Sequence, residues 1–108
     1  MILYGIPSCD SCRKSQKALT AANHTVTFRD IRADPLDAAE IDELIQSFGD
    51  RMINRASTTW RGLSEEMRAR SPHEILSAHP TVMKRPVIRD GKAVYLGWTA
   101  EVRAQLLP

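Results

Sequence analysis

The chain has 108 residues, of which 43% are hydrophobic and 26% charged, fractions that are typical of one compact globular domain. Its formal net charge of +2 is smaller than the strongly positive charge that is typical of nucleic-acid-binding domains. No apolar run approaches the roughly 18 residues of a membrane span, and the first residues lack a secretory signal. We therefore expect a cytoplasmic protein that binds neither nucleic acid nor membrane.

The first elements predict a β-α-β unit. Residues 2–5 are a short apolar run that Gly5 ends, which predicts a buried strand. Good helix formers without a breaker occupy residues 10–22, which predicts a helix with Ala18, Leu19 and Ala22 towards the core. Residues 25–31 are rich in β-branched side chains and alternate in polarity, which predicts a second strand. Two strands joined by a helix are expected to be parallel neighbours with a right-handed crossover.

The middle of the chain is predicted to be helical. Asp37 is placed to cap a helix that Gly49 ends. Residues 50–63 have no clear period, which predicts an ordered loop with a little helix. Ser64 and Ser71 each begin a further short helix, and the one after Ser71 has the capping-box pattern and ends near residue 78.

The last third predicts a hairpin and a final helix. Residues 86–89 and 92–96 are strand-like segments on either side of Asp90-Gly91, a dipeptide that supplies the positive φ of a tight turn. Thr99 is placed to cap the closing helix. The predicted fold is α/β, a mixed four-stranded sheet in the order β-α-β … β-β-α. It forms a single domain over residues 1–108 with a helical insert at about 35–80.

The pair Cys9 and Cys12 is the strongest chemical feature of the sequence. It follows a predicted buried strand and opens a helix, where free N–H groups and the helix dipole favour a negative charge. A cysteine placed there has a pKa lowered from about 8.5 to between about 3.5 and 7.5. Cys12, nearly one turn later, is placed to reach the Cys9 sulfur. This spacing is typical of a thioredoxin-like redox unit, although the carboxylate of Asp10 opposes ionisation.

Two other interpretations of the cysteines stay open. Both could be buried and act as small hydrophobic residues. Zinc would need four ligands, and the only histidines, His24, His73 and His79, do not follow Cys12 at zinc-finger spacing. We therefore expect no metal site.

Arginines and a proline complete the candidate site. Pro86 directly precedes a predicted strand, and a cis Arg85-Pro86 bond would let the backbone before it face a ligand beside Cys9. Arg55 lies in the predicted loop, and guanidinium groups bind oxyanions through paired N–H donors. Arg13, one turn into the first helix, could add to this positive field.

Three separated segments together resemble the ArsC/Spx family, most closely its YffB-type branch of reductases. They span essentially the whole chain and are residues 4–14 (YGIPSCDSCRK), 54–63 (NRASTTWRGL) and 84–88 (KRPVI). The resemblance implies a thioredoxin-like fold with a helical subdomain inserted between the second and third strands. It also implies that Cys9 is the nucleophile and that Arg55 and Arg85 match two of the arginines around it in arsenate reductases.

This sequence also departs from the pattern of arsenate reductases. Glutaredoxin-linked arsenate reductases carry a third arginine after the last strand, where this chain has Leu96-Gly97-Trp98. This weakens the case for arsenate as substrate. The Cys9-x-x-Cys12 pair also resembles that of Spx regulators, which bind the RNA polymerase α subunit and sense oxidation through such a pair.

The expected function is that of a thiol reductase linked to glutathione or glutaredoxin, acting on a mixed disulfide or a small oxyanion. No bound cofactor is expected, and glutathione would be the co-substrate. The expected catalytic residues are Cys9, Cys12, Arg55 and Arg85. The expected substrate-binding residues are Ser8, Ser11, Arg13 and Pro86. The alternatives are a redox-sensing regulator that binds the polymerase α subunit, and a binding module with inert cysteines.

Overall fold

The computed structural model describes all 108 residues, and four strands and six α-helices follow one another in it. The strands are β1 (Ile2–Gly5), β2 (Thr27–Asp30), β3 (Val87–Asp90) and β4 (Ala93–Leu96). The helices are α1 (Asp10–Ala21), α2 (Ala38–Phe48), α3 (Thr58–Arg61), α4 (Glu65–Arg68), α5 (Pro72–Ala78) and α6 (Ala100–Leu106). Two short 3-10 helices cover Gly49–Met52 and Pro80–Val82.

The strands form one sheet in the order β2-β1-β3-β4. β1 pairs with β2 in parallel, whereas β1 with β3 and β3 with β4 are antiparallel. This confirms the predicted mixed four-stranded sheet, with the first two strands parallel and a closing hairpin. No helix has the length and apolar character needed to cross a membrane.

The chain divides into two compact units. The first unit consists of Met1–Asp34 and Arg85–Pro108, and it contains the whole sheet, α1 and α6. The second consists of Pro35–Lys84 and contains the other four helices. The break points lie near the ends of the helical insert that the sequence predicts at about 35–80.

Helices α1 and α6 supply the core of the first unit together with the two central strands. A fully buried cluster joins the strands to both helices, and its members are Leu3, Cys12, Leu19, Ile88, Val102 and Leu106. The buried side of α1 is Cys12, Ser15 and Leu19, whereas Ala18 and Ala22 are only half-buried, so the predicted stripe was partly wrong. Ser15 can be buried because its hydroxyl donates to the carbonyls of Ser11 and Cys12, at 2.7 and 3.0 Å.

The second unit is held by the packing of α2 on α5. Ile41 and Leu44 of α2 and Ile75 and Leu76 of α5 are buried. Asp37 caps α2 as predicted, in a capping box in which its carboxylate accepts from the Glu40 N–H at 2.8 Å.

Some predicted boundaries differ from the observed ones. β2 is shorter than residues 25–31, since only Thr27–Asp30 pairs with β1. Asp90 pairs with Ala93 as the last residue of its strand, so the hairpin turn is Gly91-Lys92 rather than Asp90-Gly91. Gly91 still supplies the positive φ, at 61°.

Candidate active site

The loop between β1 and α1 places Cys9 at the start of the helix. Its N–H donates to the Ile6 carbonyl at 3.1 Å, and its own carbonyl accepts the first helical bond from Arg13, also at 3.1 Å. With φ −80° and ψ 121°, Cys9 is the N-cap residue of α1, the position predicted for it. The residue is half-buried.

The pKa of Cys9 is lowered by its neighbours. Partial burial raises this pKa, but the nearby N–H and thiol of Cys12, the charge of Arg85 and the N–H of Ser11 together outweigh it. The sulfur makes no capping bond of standard geometry, so the N–H groups act on it at longer range. The larger thiolate fraction at neutral pH makes Cys9 the better nucleophile of the two cysteines.

Cys12 has the opposite character. Its side chain is fully buried, and this burial, with the nearby Cys9 sulfur, raises its pKa to about 12 although the Ile6 N–H and the charge of Arg85 act in the other direction. Both cysteines are free thiols in the structure. At neutral pH Cys12 is therefore a protonated neighbour of a partly ionised Cys9.

Asp10 does not stand as an unpaired charge beside Cys9. Its carboxylate lies 3.0 Å from Lys14 Nζ and 3.5 Å from an Arg13 guanidinium nitrogen, and these partners lower the pKa of Asp10. Arg13, which the sequence predicts to add to the field around Cys9, is thus directed towards Asp10. The positive charges of Lys14 and Arg13 therefore offset the repulsion expected between the Asp10 carboxylate and the Cys9 thiolate.

Arg85 and Pro86 lie next to the sheet in the first unit. The Arg85-Pro86 peptide bond is cis, the isomer that would let the backbone before Pro86 face a ligand. Pro86 is buried, and its carbonyl accepts from the Gly97 N–H at 2.7 Å. Arg85 is half-buried and close enough to both thiols to lower their pKa values.

Arg55 belongs to the second unit, and its side chain contacts Asp50 and Trp60 of the same unit. A terminal nitrogen donates to Asp50 at 2.8 Å, and the guanidinium carbon lies 4.9 Å from the centre of the Trp60 ring. The pair raises the pKa of Arg55 and lowers that of Asp50. Both side chains are largely exposed, so an ion pair of this kind contributes about 1 kcal/mol or less.

The first unit thus contains seven of the eight predicted site residues, and only Arg55 belongs to the second; the seven are Ser8, Cys9, Ser11, Cys12, Arg13, Arg85 and Pro86. Ser8 and Ser11 are exposed. No group of three or more His, Cys, Asp or Glu side chains is placed to hold a metal ion.

Sequence reasoning missed two contributors to this site. The Ile6 N–H acts on Cys12, and Gly5 lies against the Cys12 sulfur. The signal for Gly5 was present, since it ends the strand four residues before Cys9, but only the packing of Cys12 explains why no side chain fits there.

Comparison with known proteins finds relatives that agree with the resemblance to the ArsC/Spx family. The sequence model of the ArsC family matches residues 4–106. Global transcriptional regulator Spx 2 of Lactococcus lactis is 30% identical over 112 residues, which cover 98% of this chain and 85% of that protein.

Two solved structures share the whole architecture. A YFFB protein superposes with a TM-score of 0.90 at 29% identity, covering 99% of this chain and 98% of its own. An arsenate reductase (ArsC) related protein from Brucella melitensis has a TM-score of 0.75 at 32% identity, covering 95% of this chain and 91% of its own. The α/β fold and the order of its elements are those of these proteins.

Proposed function

The chain belongs to the ArsC family, and from the surroundings of Cys9 we propose that it is a thiol-dependent reductase that works with glutathione. The observation that carries the proposal is a half-buried thiol at the N-cap of α1 whose pKa is lowered although burial opposes it. A structural cysteine in an apolar setting would have a raised pKa, as Cys12 has.

The proposed first step is attack of the Cys9 thiolate on one sulfur of a disulfide R–S–S–R′. The Cys9–S–S–R bond forms, the original S–S bond breaks, and R′–S⁻ leaves and takes up a proton from water. The positive charge of Arg85 stabilises the negative charge that passes across the three sulfurs.

The second step needs another thiolate. The thiolate of glutathione attacks the R sulfur, which restores the Cys9 thiolate and releases R–S–S–G. Cys12 is the other candidate, and its attack on the Cys9 sulfur would release R–S⁻ and leave a Cys9–Cys12 disulfide for two glutathione molecules to reduce. With a pKa of about 12, Cys12 is almost entirely protonated at neutral pH, which favours glutathione as the resolving thiol.

Arg55 is proposed to bind an anionic group of the substrate. Its pair with Asp50 is exposed, and such a pair contributes little, so a carboxylate or an oxyanion can replace Asp50 at small cost. Ser8, Ser11, Arg13 and Pro86 are proposed to line the surface on which the substrate approaches Cys9.

The test is glutathione-dependent reduction of hydroxyethyl disulfide, followed as NADPH oxidation through glutathione reductase. Wild type is expected to turn over, Cys9→Ser to lose turnover, and Cys12→Ser to keep most of it. The matched control is Lys17→Ala, an exposed change on the same helix. Turnover retained by Cys9→Ser would overturn the proposal, and arsenate as substrate in a parallel assay tests the oxyanion.

A second candidate is a redox-sensing regulator that binds the RNA polymerase α subunit. The observation that favours it is the likeness to an Spx regulator over 98% of this chain, together with the Cys9-x-x-Cys12 pair. Its test is co-elution of oxidised and reduced protein with the C-terminal domain of the α subunit. Tighter binding of the oxidised form, without glutathione-dependent turnover, would favour the regulator over the reductase.

A further inference from the structure

Gly5 ends β1 at a point where a side chain has no room. A Cβ built on Gly5 would collide with the sulfur of Cys12. It would also lie 3.2 Å from the Cys12 Cβ and 3.3 Å from a methyl carbon of Leu3. The absence of a side chain at Gly5 therefore creates the space that the Cys12 sulfur occupies.

The sulfur of Cys12 is held by its neighbours on several sides. It packs in the fully buried cluster that includes Leu3, Leu19 and Ile88. Cys9 packs against the same cluster, and the Ile6 N–H and the Cys9 sulfur both lie near enough to the Cys12 sulfur to act on its pKa. A protonated Cys12 thiol is the donor in this last contact, and a thiolate at Cys9 is the acceptor.

We propose that Gly5 is a positioning residue for Cys9. By lacking a side chain, it lets the Cys12 sulfur lie against the end of β1, from which its S–H donates to the Cys9 thiolate. The inference rests on the proposed function in taking Cys9 as the reactive thiol. It assigns Cys12 a role before any disulfide forms, as a hydrogen-bond donor.

The consequence of a Cβ at position 5 follows from this packing. Cys12 is fully buried in a cluster with Leu3, Leu19 and Ile88, and protein interiors are close-packed, so a displaced sulfur has to compete with these side chains for room. The side chain of Cys12 must turn about its Cα–Cβ bond, and the sulfur then leaves both the Ile6 N–H and the Cys9 sulfur. Cys9 loses one of the groups that lower its pKa.

The experiment is the rate of Cys9 alkylation by iodoacetamide across pH, in reductant-treated protein from which the reductant has been removed. The modified residue is assigned by fragmentation mass spectrometry. The variants form a cycle of wild type, Gly5→Ala, Cys12→Ala and the double variant. We expect Gly5→Ala to slow alkylation at pH 7 by roughly threefold, the scale of losing one weak hydrogen bond.

The double variant separates positioning from a general loss of structure. An alanine at position 12 has no sulfur, so the collision is removed and the new Cβ on residue 5 keeps only its approaches of 3.2 Å to the Cβ of residue 12 and 3.3 Å to the Leu3 methyl carbon. Cys12→Ala and the double variant should therefore have the same alkylation profile. An unchanged profile in Gly5→Ala, or an equal slowing by Gly5→Ala in both backgrounds, would overturn the proposal.

Folding itself provides the second measurement. If Gly5→Ala unfolds the chain, the double variant decides, because removal of the sulfur should restore folding. Restored folding, with slower alkylation in Cys12→Ala than in wild type, supports the proposal, and failure of either result overturns it. Alkylation needs no turnover, so these outcomes stand apart from a failure of the reductase assay.

Discussion

The positive charge of Arg85 lowers the pKa of Cys9, although the two residues are distant in the sequence. Arg85 lies just before β3, and Cys9 is the N-cap residue of α1. Burial is the largest influence on the pKa of Cys9 and raises it, and the hydrogen bonds from Cys12 and Ser11 and the charge of Arg85 reverse this direction. The site therefore depends on a contribution from each end of the sequence.

Replacing Arg85 is expected to weaken the nucleophile. In Arg85→Gln the positive charge is lost, so the pKa of Cys9 rises and its alkylation rate at pH 7 falls by roughly two- to fivefold, the scale of one partly solvated charge. Arg85→Lys keeps the charge and should keep most of the rate. The measurement is the pH profile of iodoacetamide alkylation.

The control for this comparison is Arg13→Gln, which removes an arginine that is paired with Asp10. Its alkylation profile should stay close to that of wild type. Equal effects of Arg13→Gln and Arg85→Gln would mean that net charge, rather than the position of Arg85, determines the reactivity of Cys9.

The buried Cys12 predicts a loss of stability at high pH. The folded chain keeps the Cys12 proton up to a pH of about 12, whereas the unfolded chain releases it near 9.0. Between these values the folded state binds more protons, so rising pH favours unfolding by up to about 1.4 kcal/mol per pH unit. Below pH 9 the Cys12 thiol is protonated in both the folded and the unfolded chain, so the stability that depends on it is fully present.

The measurement is urea denaturation of wild type and Cys12→Ala in the presence of reductant. Cys12→Ala should be the less stable of the two at pH 8, because it leaves a small cavity in the core. The difference should shrink as the pH rises above 9, because the Cys12 thiol then ionises in the unfolded wild type but not in the folded one. A difference that stays constant up to pH 11 would contradict the assignment of a raised pKa to Cys12.

Arg55 and Asp50 allow a test of substrate binding that leaves the thiol untouched. Arg55→Ala is expected to raise KM for an anionic glutathione-containing disulfide by about three- to tenfold, since one charge-assisted contact is lost. Asp50→Asn frees the guanidinium and is expected to lower KM by about twofold. The pH profile of Cys9 alkylation should be the same in both variants and in wild type.

The kinetic comparison uses a neutral disulfide as its control. Hydroxyethyl disulfide offers no carboxylate, so its KM should respond little to either change. If Arg55→Ala affects the anionic and the neutral disulfide equally, Arg55 does not bind the charged group of the substrate.

Local signals in the sequence predicted most of the fold. Capping residues such as Asp37, Ser71 and Thr99 mark helix starts that the structure confirms, because a side-chain oxygen at that position satisfies a free N–H. The parallel pairing of β1 with β2 followed from the helix between them. The family resemblance is confirmed by the comparisons, and it pointed to the same sheet.

The site was predicted less completely, because its properties depend on contacts between distant residues. The N-cap position of Cys9 is local and was predicted from the sequence alone. The full burial of Cys12 and its contact with Gly5 depend on how α1 packs on the sheet. The pairing of Asp10 with Lys14 has a recognisable spacing of four residues, but the sequence analysis did not use it.

The capping box of α2 predicts a specific loss of stability. Asp37→Ala removes the acceptor of the Glu40 N–H and should lower the free energy of unfolding by about 1 kcal/mol. Asp37→Asn keeps an acceptor oxygen and should cost little. Urea denaturation of both variants measures the difference, and equal losses would show that charge rather than capping is responsible.

Gly91 predicts a cost that comes from the backbone alone. Its φ of 61° lies in the left-handed region, and a Cβ built on it meets no atom within 4 Å. Gly91→Ala should therefore lower the free energy of unfolding by about 1 kcal/mol, and Gly91→Asn by less, because asparagine tolerates this conformation. The control is Gly62→Ala, since Gly62 has a φ of −84° and only ordinary contacts. That variant should be as stable as wild type or slightly more stable in urea denaturation, and a loss equal to that of Gly91→Ala would contradict the backbone explanation.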